Sequence, residues 1–230
     1  MSRMVSVGIW AVKRLSEADR LAMESLYRRY YEGAPAETFA RDLSEKDWAI
    51  VLSDEKGVRG FSTMKLFDVA GRLVLFSGDT VVDAACRNQT GLAGAFGHVM
   101  RRLNDEIAEP PDWFLICKGA RTYRFLPTFF RRYVPGRRED AELAARLKSI
   151  ARAIYPREYD ETTGVLRFGD GKDRLKDDAL RMDAESVRFR TLNPGWVRGD
   201  ELCCLAPLSM DNLNRLGHRV IADVSPEWHE

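Results

Sequence analysis

The stretch that decides the fold reads Arg72-Leu-Val-Leu-Phe-Ser-Gly-Asp-Thr-Val-Val-Asp83, then Ala-Ala-Cys-Arg-Asn-Gln-Thr-Gly-Leu-Ala93, then Gly-Ala-Phe-Gly-His-Val-Met-Arg-Arg-Leu103. Its first part is rich in β-branched and aromatic residues and predicts a strand. Its last part repeats apolar residues on one helical face, at Leu92, Phe96, Val99, Met100 and Leu103. A strand, a short polar loop and a helix start form an anion site, because backbone N–H groups point outward and the helix dipole favours negative charge.

The loop between strand and helix lacks the two common phosphate motifs. The absence of GxxxxGK[ST] excludes a P-loop, and the absence of GxGxxG argues against a Rossmann site. The loop resembles instead the pyrophosphate loop of the GNAT acyltransferases, Gln/Arg-x-x-Gly-x-Gly/Ala. When the motif is aligned from Asn88, Gly91 and Ala93 occupy its two small-residue positions and Asn88 occupies its first position. When it is aligned from Arg87, Thr90 and Leu92 lie where glycines are expected. An ordinary strand-to-helix turn is the alternative interpretation.

The order of predicted elements agrees with this resemblance. A strand, two helices, three strands joined by hairpin turns, a helix, a strand and a helix follow one another from about Val5 to Pro135. The resemblance implies an α/β fold with a mixed, mostly antiparallel central sheet flanked by helices. It also implies that the two central strands splay apart to admit the pantetheine arm of acyl-CoA.

Composition changes after this core, which divides the chain into three segments. Residues 1–136 are expected to form a GNAT-like acyl-donor-binding core, and residues 137–185 a helical and irregular insertion. Residues 186–230 are expected to complete the sheet with strands at Val187–Leu192 and Glu201–Leu205. A short helix is predicted at Met210–Leu216, ending near Gly217.

Composition also limits the class of protein. The chain has 230 residues, 45% of them hydrophobic, and a net charge of +1. This net charge is too small to attract nucleic acid to the protein as a whole. No apolar run approaches the ~20 residues of a membrane span, and a cytoplasmic protein is expected. Four cysteines and three histidines fall in no metal-binding spacing, so neither a metal nor a disulfide is expected.

The resemblance assigns acyl-CoA as co-substrate. The residues expected to bind it are Val81, Val82, Arg87, Asn88, Gln89, Thr90, Gly91, Leu92 and Ala93. Strand edges near the two valines would hydrogen-bond the pantetheine arm, and loop amides would hold the pyrophosphate. Gly91 and Ala93 permit close approach of the backbone to the phosphates.

Four residues are candidates for the chemistry. Asp79 is placed to take a proton from an amine as general base, and the alternative is a carboxylate that stabilises a bulge. Tyr123, with Thr122 second, is the candidate acid that protonates the departing thiolate, and packing is the alternative for Tyr123. Lys118 follows a predicted strand and would hold an acidic group of the substrate, unless it is simply solvated.

Three hypotheses for function remain open from the sequence. The first is direct transfer of an acetyl or longer acyl group from acyl-CoA to a small-molecule or peptide amine. The second is an N-acyl amino acid or acyl-homoserine lactone type synthase that takes its donor from an acidic acyl carrier protein, which would meet the pairs Arg131-Arg132 and Arg137-Arg138. The third is a non-catalytic binding module on the same scaffold. A dimer is compatible with all three.

Overall fold

The computed structural model describes residues 5–32, 36–87, 90–169, 174–175 and 183–230. Its helices are α1 (Glu17–Tyr30), α2 (Ala36–Ser44), α3 (Gly91–Glu106), α4 (Ala120–Phe129), α5 (Ala141–Ile154), α6 (Ala184–Leu192) and α7 (Arg215–Ala222). Its strands are β1 (Ser6–Ala11), β2 (Tyr31–Glu32), β3 (Trp48–Asp54), β4 (Gly57–Val69), β5 (Arg72–Val82), β6 (Asp112–Cys117), β7 (Tyr159–Asp160), β8 (Val165–Leu166), β9 (Arg174–Leu175), β10 (Glu201–Pro207) and β11 (Glu227–His229).

Nine of these strands form one sheet in the order β11-β1-β3-β4-β5-β6-β10-β8-β7. The pairs β1–β11 and β5–β6 are parallel, and the other pairs in this sheet are antiparallel. Strands β2 and β9 pair separately. The predicted fold class, a mixed and mostly antiparallel sheet flanked by helices, is confirmed.

The two central strands, β5 and β6, pair over only part of their length. Their register runs from Val74 opposite Asp112 to Ser77 opposite Leu115. Beyond Ser77, the paired residues described for β5 lie on β4, while the end of β6 pairs with β10. The two strands therefore separate beyond Ser77 and leave a V-shaped opening in the sheet.

A β-bulge marks the point where the opening begins. Thr80 lies opposite Ser62 and Ser77 opposite Met64, so Gly78 and Asp79 together face the single residue Thr63. An extra residue in one strand bends that strand and increases its local twist. The bulge thus directs the end of β5 away from β6.

Helices cover both faces of the sheet. On one face α3, α4 and α7 bury one continuous apolar cluster, which includes Leu75, Trp113 and Leu115. On the other face α1 and α2 bury one cluster against β3 and β4, and α5 buries a second against β5, β6 and β10. The opening between β5 and β6 lies where these two separate clusters meet.

Two predictions for the C-terminal part are wrong. Val187–Leu192 belongs to helix α6, because the Asp183 side chain accepts a hydrogen bond from the Ser186 N–H as an N-cap, and the Phe189 ring is buried beside Tyr123. The sheet is extended instead by the short β7–β8 hairpin beside β10. Gly217 does not end a helix, since it lies inside α7, and Met210–Asn212 forms a separate 3₁₀ turn.

The division of the chain at residues 136 and 185 stays a prediction. Among the described ranges, no helix has both the length and the apolar character needed to cross a membrane.

Candidate functional site

A pocket of about 490 Å³ opens at the V between β5 and β6. Its walls come from the end of α1, the strands β3, β4, β5 and β6, the start of α3, and α4. The pocket therefore combines a parted pair of strands with a helix N-terminus, two features that offer free backbone hydrogen-bonding groups.

The loop that leads from β5 to α3 is held in place from several sides. The Asp83 carboxylate accepts hydrogen bonds from Arg29 at 2.8 Å, from Arg59 at 3.1 Å and from the Ala85 N–H at 3.0 Å. The Ala84 N–H donates to the Tyr30 hydroxyl at 2.8 Å. These contacts tie the loop to the end of α1 and fix its direction before α3 begins.

The positive charge of Arg87 lies close to where the loop meets the start of α3. The Arg87 guanidinium lies over the Tyr30 ring, 4.8 Å from its centroid, and its Nε donates to the Val82 carbonyl at 3.1 Å. Within the described residues the Thr90 side chain caps no amide of α3, and the first turn contains no acidic residue. The dipole of α3 and the charge of Arg87 both favour an anion near this helix start.

An aromatic wall closes the other side of the pocket. Trp113 Nε1 donates a hydrogen bond to Ser77 Oγ at 2.9 Å, across the point where pairing of β5 and β6 stops. The rings of Phe96 and Phe125 pack on Trp113 at centroid distances of 4.5 and 5.5 Å. These three rings form a fixed, apolar surface at the base of the V.

The structure brings most residues of the expected donor site to this pocket. The lining includes Val81, Val82, Arg87, Thr90, Leu92, Ala93 and also Thr122. Gly91 is not part of the lining: a Cβ there would meet Val7 Cγ2 at 3.0 Å and Leu52 Cδ2 at 3.2 Å, so its small size serves helix packing. Asn88 and Gln89 lie outside the described residues.

Two catalytic candidates are absent from the lining of the pocket. Asp79 is in the bulge and does not line the pocket. Tyr123 is fully buried on α4, where its hydroxyl donates to the Pro135 carbonyl at 2.9 Å and accepts from Arg188 Nε at 3.1 Å. Burial raises the pKa of Tyr123 well above its usual value. The hydroxyl is thus oriented away from the pocket, and packing explains this tyrosine better than acid catalysis does.

Lys118 also lies outside the pocket lining, but next to it. Its Nζ is 3.7 Å from Oε1 of the buried Glu201, and 5.1 Å from the centroid of the Tyr31 ring, which lines the pocket. The side chain is not solvated, since it is 12% exposed. Lys118 is therefore part of a charged pair behind one wall of the pocket.

The arginines considered for an acidic carrier protein line a separate cavity of about 610 Å³. Arg132 is hydrogen-bonded to Asp140 at 2.5 Å and to Glu142 at 2.8 Å, and Arg137 is bonded to Glu185. Acidic side chains of the chain itself thus neutralise much of this charge.

Sequence reasoning missed the pocket residues that come from distant parts of the chain. Tyr30, Tyr31, Ile50, Ser62, Phe96, Trp113, Arg121 and Phe125 all line the pocket. The only local signal was the pair of tyrosines at the end of a predicted helix, and nothing in the sequence connected that helix end to the loop before α3. In the residues that the structure describes, no group of three or more His, Cys, Asp or Glu side chains is arranged to hold a metal ion.

Comparison with known proteins gave only structural matches. No family model and no curated protein matches the sequence. A GNAT family N-acetyltransferase from Escherichia coli, solved with CoA, is 19% identical over 56% of this chain and 69% of that chain, with a TM-score of 0.40. The catalytic domain of a Tetrahymena histone acetyltransferase, solved with coenzyme A, is 13% identical over 62% and 84%, with a TM-score of 0.42. An aminoglycoside acetyltransferase from an uncultured soil sample, solved with sisomicin, is 12% identical over 44% and 71%, with a TM-score of 0.35.

Proposed function

We propose that the chain is an acyltransferase that takes an acyl group from acyl-CoA and transfers it directly to an amine. One observation carries the proposal: the parallel strands β5 and β6 part after Ser77, directly beside the N-terminus of α3. A strand that has lost its neighbour exposes N–H and C=O groups, which bind an extended amide chain as an added strand would. The pantetheine arm of CoA is such a chain.

The rest of the pocket fits the remaining parts of CoA. The amides at the start of α3, which the Thr90 side chain does not cap, and the guanidinium of Arg87 are suited to the pyrophosphate. Val81 and Val82 line the pocket where the pantetheine would lie, and Thr90, Leu92 and Ala93 line the same pocket. In this proposed arrangement the thioester would lie near the bulge at Gly78 and Asp79.

The reaction needs a neutral amine, an activated carbonyl and a departing thiolate. The amine nitrogen attacks the thioester carbon, the C–S bond breaks, and CoA leaves as the thiolate. Asp79, at the bulge, would accept the proton that the nitrogen loses. Backbone N–H groups of β5 beyond Ser77 would stabilise the charge on the carbonyl oxygen. Thr122, which lines the pocket, is the remaining side-chain candidate for protonating the thiolate.

Charge reversal at Arg87 tests the donor site. Arg87→Glu removes a cation beside the pyrophosphate position and adds an anion, so we expect acetyl-CoA to bind at least ~1.4 kcal/mol, or tenfold, more weakly. The measurement is titration calorimetry of the purified protein with acetyl-CoA, accompanied by thiol release in the presence of amines.

Arg101→Glu is the matched control, because it makes the same change of net charge at an exposed position of α3, the helix that follows the Arg87 loop. We expect it to bind acetyl-CoA as the wild type does. Equal affinities of both variants and the wild type, or a wild type that does not bind acetyl-CoA, would refute the proposed donor site.

A further inference from the structure

Helix α4 carries aromatic side chains on two neighbouring faces. Tyr123 and Leu126 are fully buried, and with Phe130 at the end of the helix they pack α4 onto the sheet. Phe125 and Phe129 lie about 100° further around the helix, are only partly buried at the edge of this core, and both line the donor pocket. The second aromatic face of α4 therefore borders a cavity and is available to a ligand.

Apolar side chains of α3 and β6 complete the walls around this face. Leu92 and Phe96, four residues apart on α3, line the same pocket, and the Phe96 ring lies 5.9 Å from that of Phe125. Trp113 of β6 lines the pocket between the two helices, and its indole N–H is already bonded to Ser77 Oγ, so the ring offers a ligand an apolar surface. We call the space bounded by Leu92, Phe96, Trp113, Phe125 and Phe129 the apolar chamber; it is part of the pocket of about 490 Å³.

The chamber continues from the place assigned to the reacting thioester. Thr122, the candidate for protonating the thiolate, precedes Phe125 by three residues and Phe129 by seven, so the three residues share one side of α4. The acyl carbonyl is bonded to the sulfur that Thr122 would protonate. The Phe125 ring lies 5.5 Å from Trp113 and 4.7 Å from Phe129, so these rings form a continuous row. A chain attached to the carbonyl would extend along this row.

We propose that the donor carries an apolar acyl chain of several carbons, and that Phe125 and Phe129 bind this chain and set its length. The inference rests on the proposed function. An acetyl group ends one carbon beyond the carbonyl and leaves most of the apolar chamber to water. A longer chain displaces that water, and each methylene group that becomes fully buried strengthens binding about fourfold. The chamber therefore favours a longer acyl group over acetyl.

The test measures binding and needs no knowledge of the acceptor amine. The wild-type protein is titrated by calorimetry with free CoA, acetyl-CoA and hexanoyl-CoA. The two thioesters share the whole of CoA and differ only in four methylene groups. We expect hexanoyl-CoA to bind about tenfold or more tightly than acetyl-CoA, with one molecule bound per chain. The ratio of the two affinities is the quantity that the variants below should change.

Phe129→Ala removes one ring of the row and should lower the hexanoyl-to-acetyl ratio about fourfold or more. Phe125→Ala, one turn earlier on the same side of α4, should act in the same direction. Phe129→Leu keeps an apolar side chain and should retain most of the ratio. Phe67→Ala is the matched control, because it truncates another partly buried phenylalanine, which packs on the opposite face of the sheet and does not line the pocket. It should leave the ratio intact, and thermal unfolding shows that each variant is folded.

The outcomes separate this inference from the proposed function. If the wild type binds acetyl-CoA and binds hexanoyl-CoA no more tightly, the acyl-chain inference is refuted and the acyltransferase proposal stands. The same holds if Phe129→Ala and Phe125→Ala weaken both thioesters equally, or if Phe67→Ala lowers the ratio as much as they do. If neither thioester binds, both are refuted.

Discussion

The two faces of the central sheet differ in how their apolar residues are organised. Under α3, α4 and α7 lies one continuous cluster, and the proposed donor pocket opens at its edge. Under α1, α2 and α5 lie two clusters, and the charged pair of Lys118 and Glu201 lies next to the break. A continuous apolar layer supplies stability, whereas a divided layer leaves room for buried polar groups that pair with one another. Variants on the continuous face should therefore affect stability, and variants at the break should affect turnover.

The largest expected effect is at the break, at Asp79. If this carboxylate is the base, Asp79→Asn should lower turnover roughly 10²–10⁴-fold and leave acetyl-CoA affinity unchanged. Steady-state thiol release and calorimetry measure the two quantities. Asp68→Asn makes the same change at an exposed position near the end of β4, where Asp68 accepts a hydrogen bond from the Gly71 N–H, and should leave turnover as it is. Near-normal turnover in Asp79→Asn would return Asp79 to a structural role in the bulge.

A smaller effect, on stability and not on turnover, is expected on the continuous face at Tyr123. Tyr123→Phe keeps the ring but removes the hydroxyl that joins Pro135 and Arg188, which should cost about 1–3 kcal/mol of unfolding free energy. Turnover should be unchanged, because the hydroxyl does not reach the pocket. Urea unfolding and thiol release test this directly. A large fall in kcat with unchanged stability would restore Tyr123 as the acid and would contradict the functional difference between the faces.

The smallest effect concerns Asp140, which caps α5 away from the break. Its carboxylate accepts hydrogen bonds from Arg132 and from the Leu143 N–H, and these lower its pKa from 3.8 to about 2. A carboxylate whose pKa is lower in the folded state adds stability above pH ~4, and that stability is lost as the pH falls toward 2. Asp140→Ala should therefore cost about 1 kcal/mol at pH 7, and the difference from the wild type should shrink below pH ~4.

Unfolding curves at several pH values measure this dependence. Glu139→Gln, an exposed neighbour, changes the net charge by the same amount and serves as the control. A constant difference between Asp140→Ala and the wild type from pH 7 to pH 2 would contradict the assigned pKa shift.

The N-terminal part of the fold could be predicted from sequence because its signals are local. Turn residues between β3, β4 and β5 fix their antiparallel order, and apolar periodicity identifies α3. The strand assignment at Val187–Leu192 was wrong because Val, Phe and Thr alternate there with arginines, as in a half-buried strand. The Asp183 cap and the contact of Phe189 with Tyr123 favour a helix instead, and only the first of these signals is present in the local sequence.

The candidate site was predictable only where it is contiguous in the chain. The segment from Val81 to Ala93 contains the end of a strand, a loop and the start of a helix. The order of these elements predicts which of its described residues line the pocket. Tyr30 and Trp113 come from elements far apart in sequence, and the pocket that both line opens where β5 and β6 separate. That parting depends on a bulge whose position is fixed by pairing with β4, which no local pattern shows.

The parallel pairing of β11 with β1 bears on how the chain folds. Trp10 and His229 stack with ring centroids 3.6 Å apart, and Arg14 donates to the Glu230 carbonyl across a sequence separation of 216 residues. During synthesis the outer edge of β1 therefore stays open until β11 has been made. Contacts this distant slow folding, and an unpaired strand edge invites association with other chains. We infer that β11 protects the edge of β1 from association with other chains.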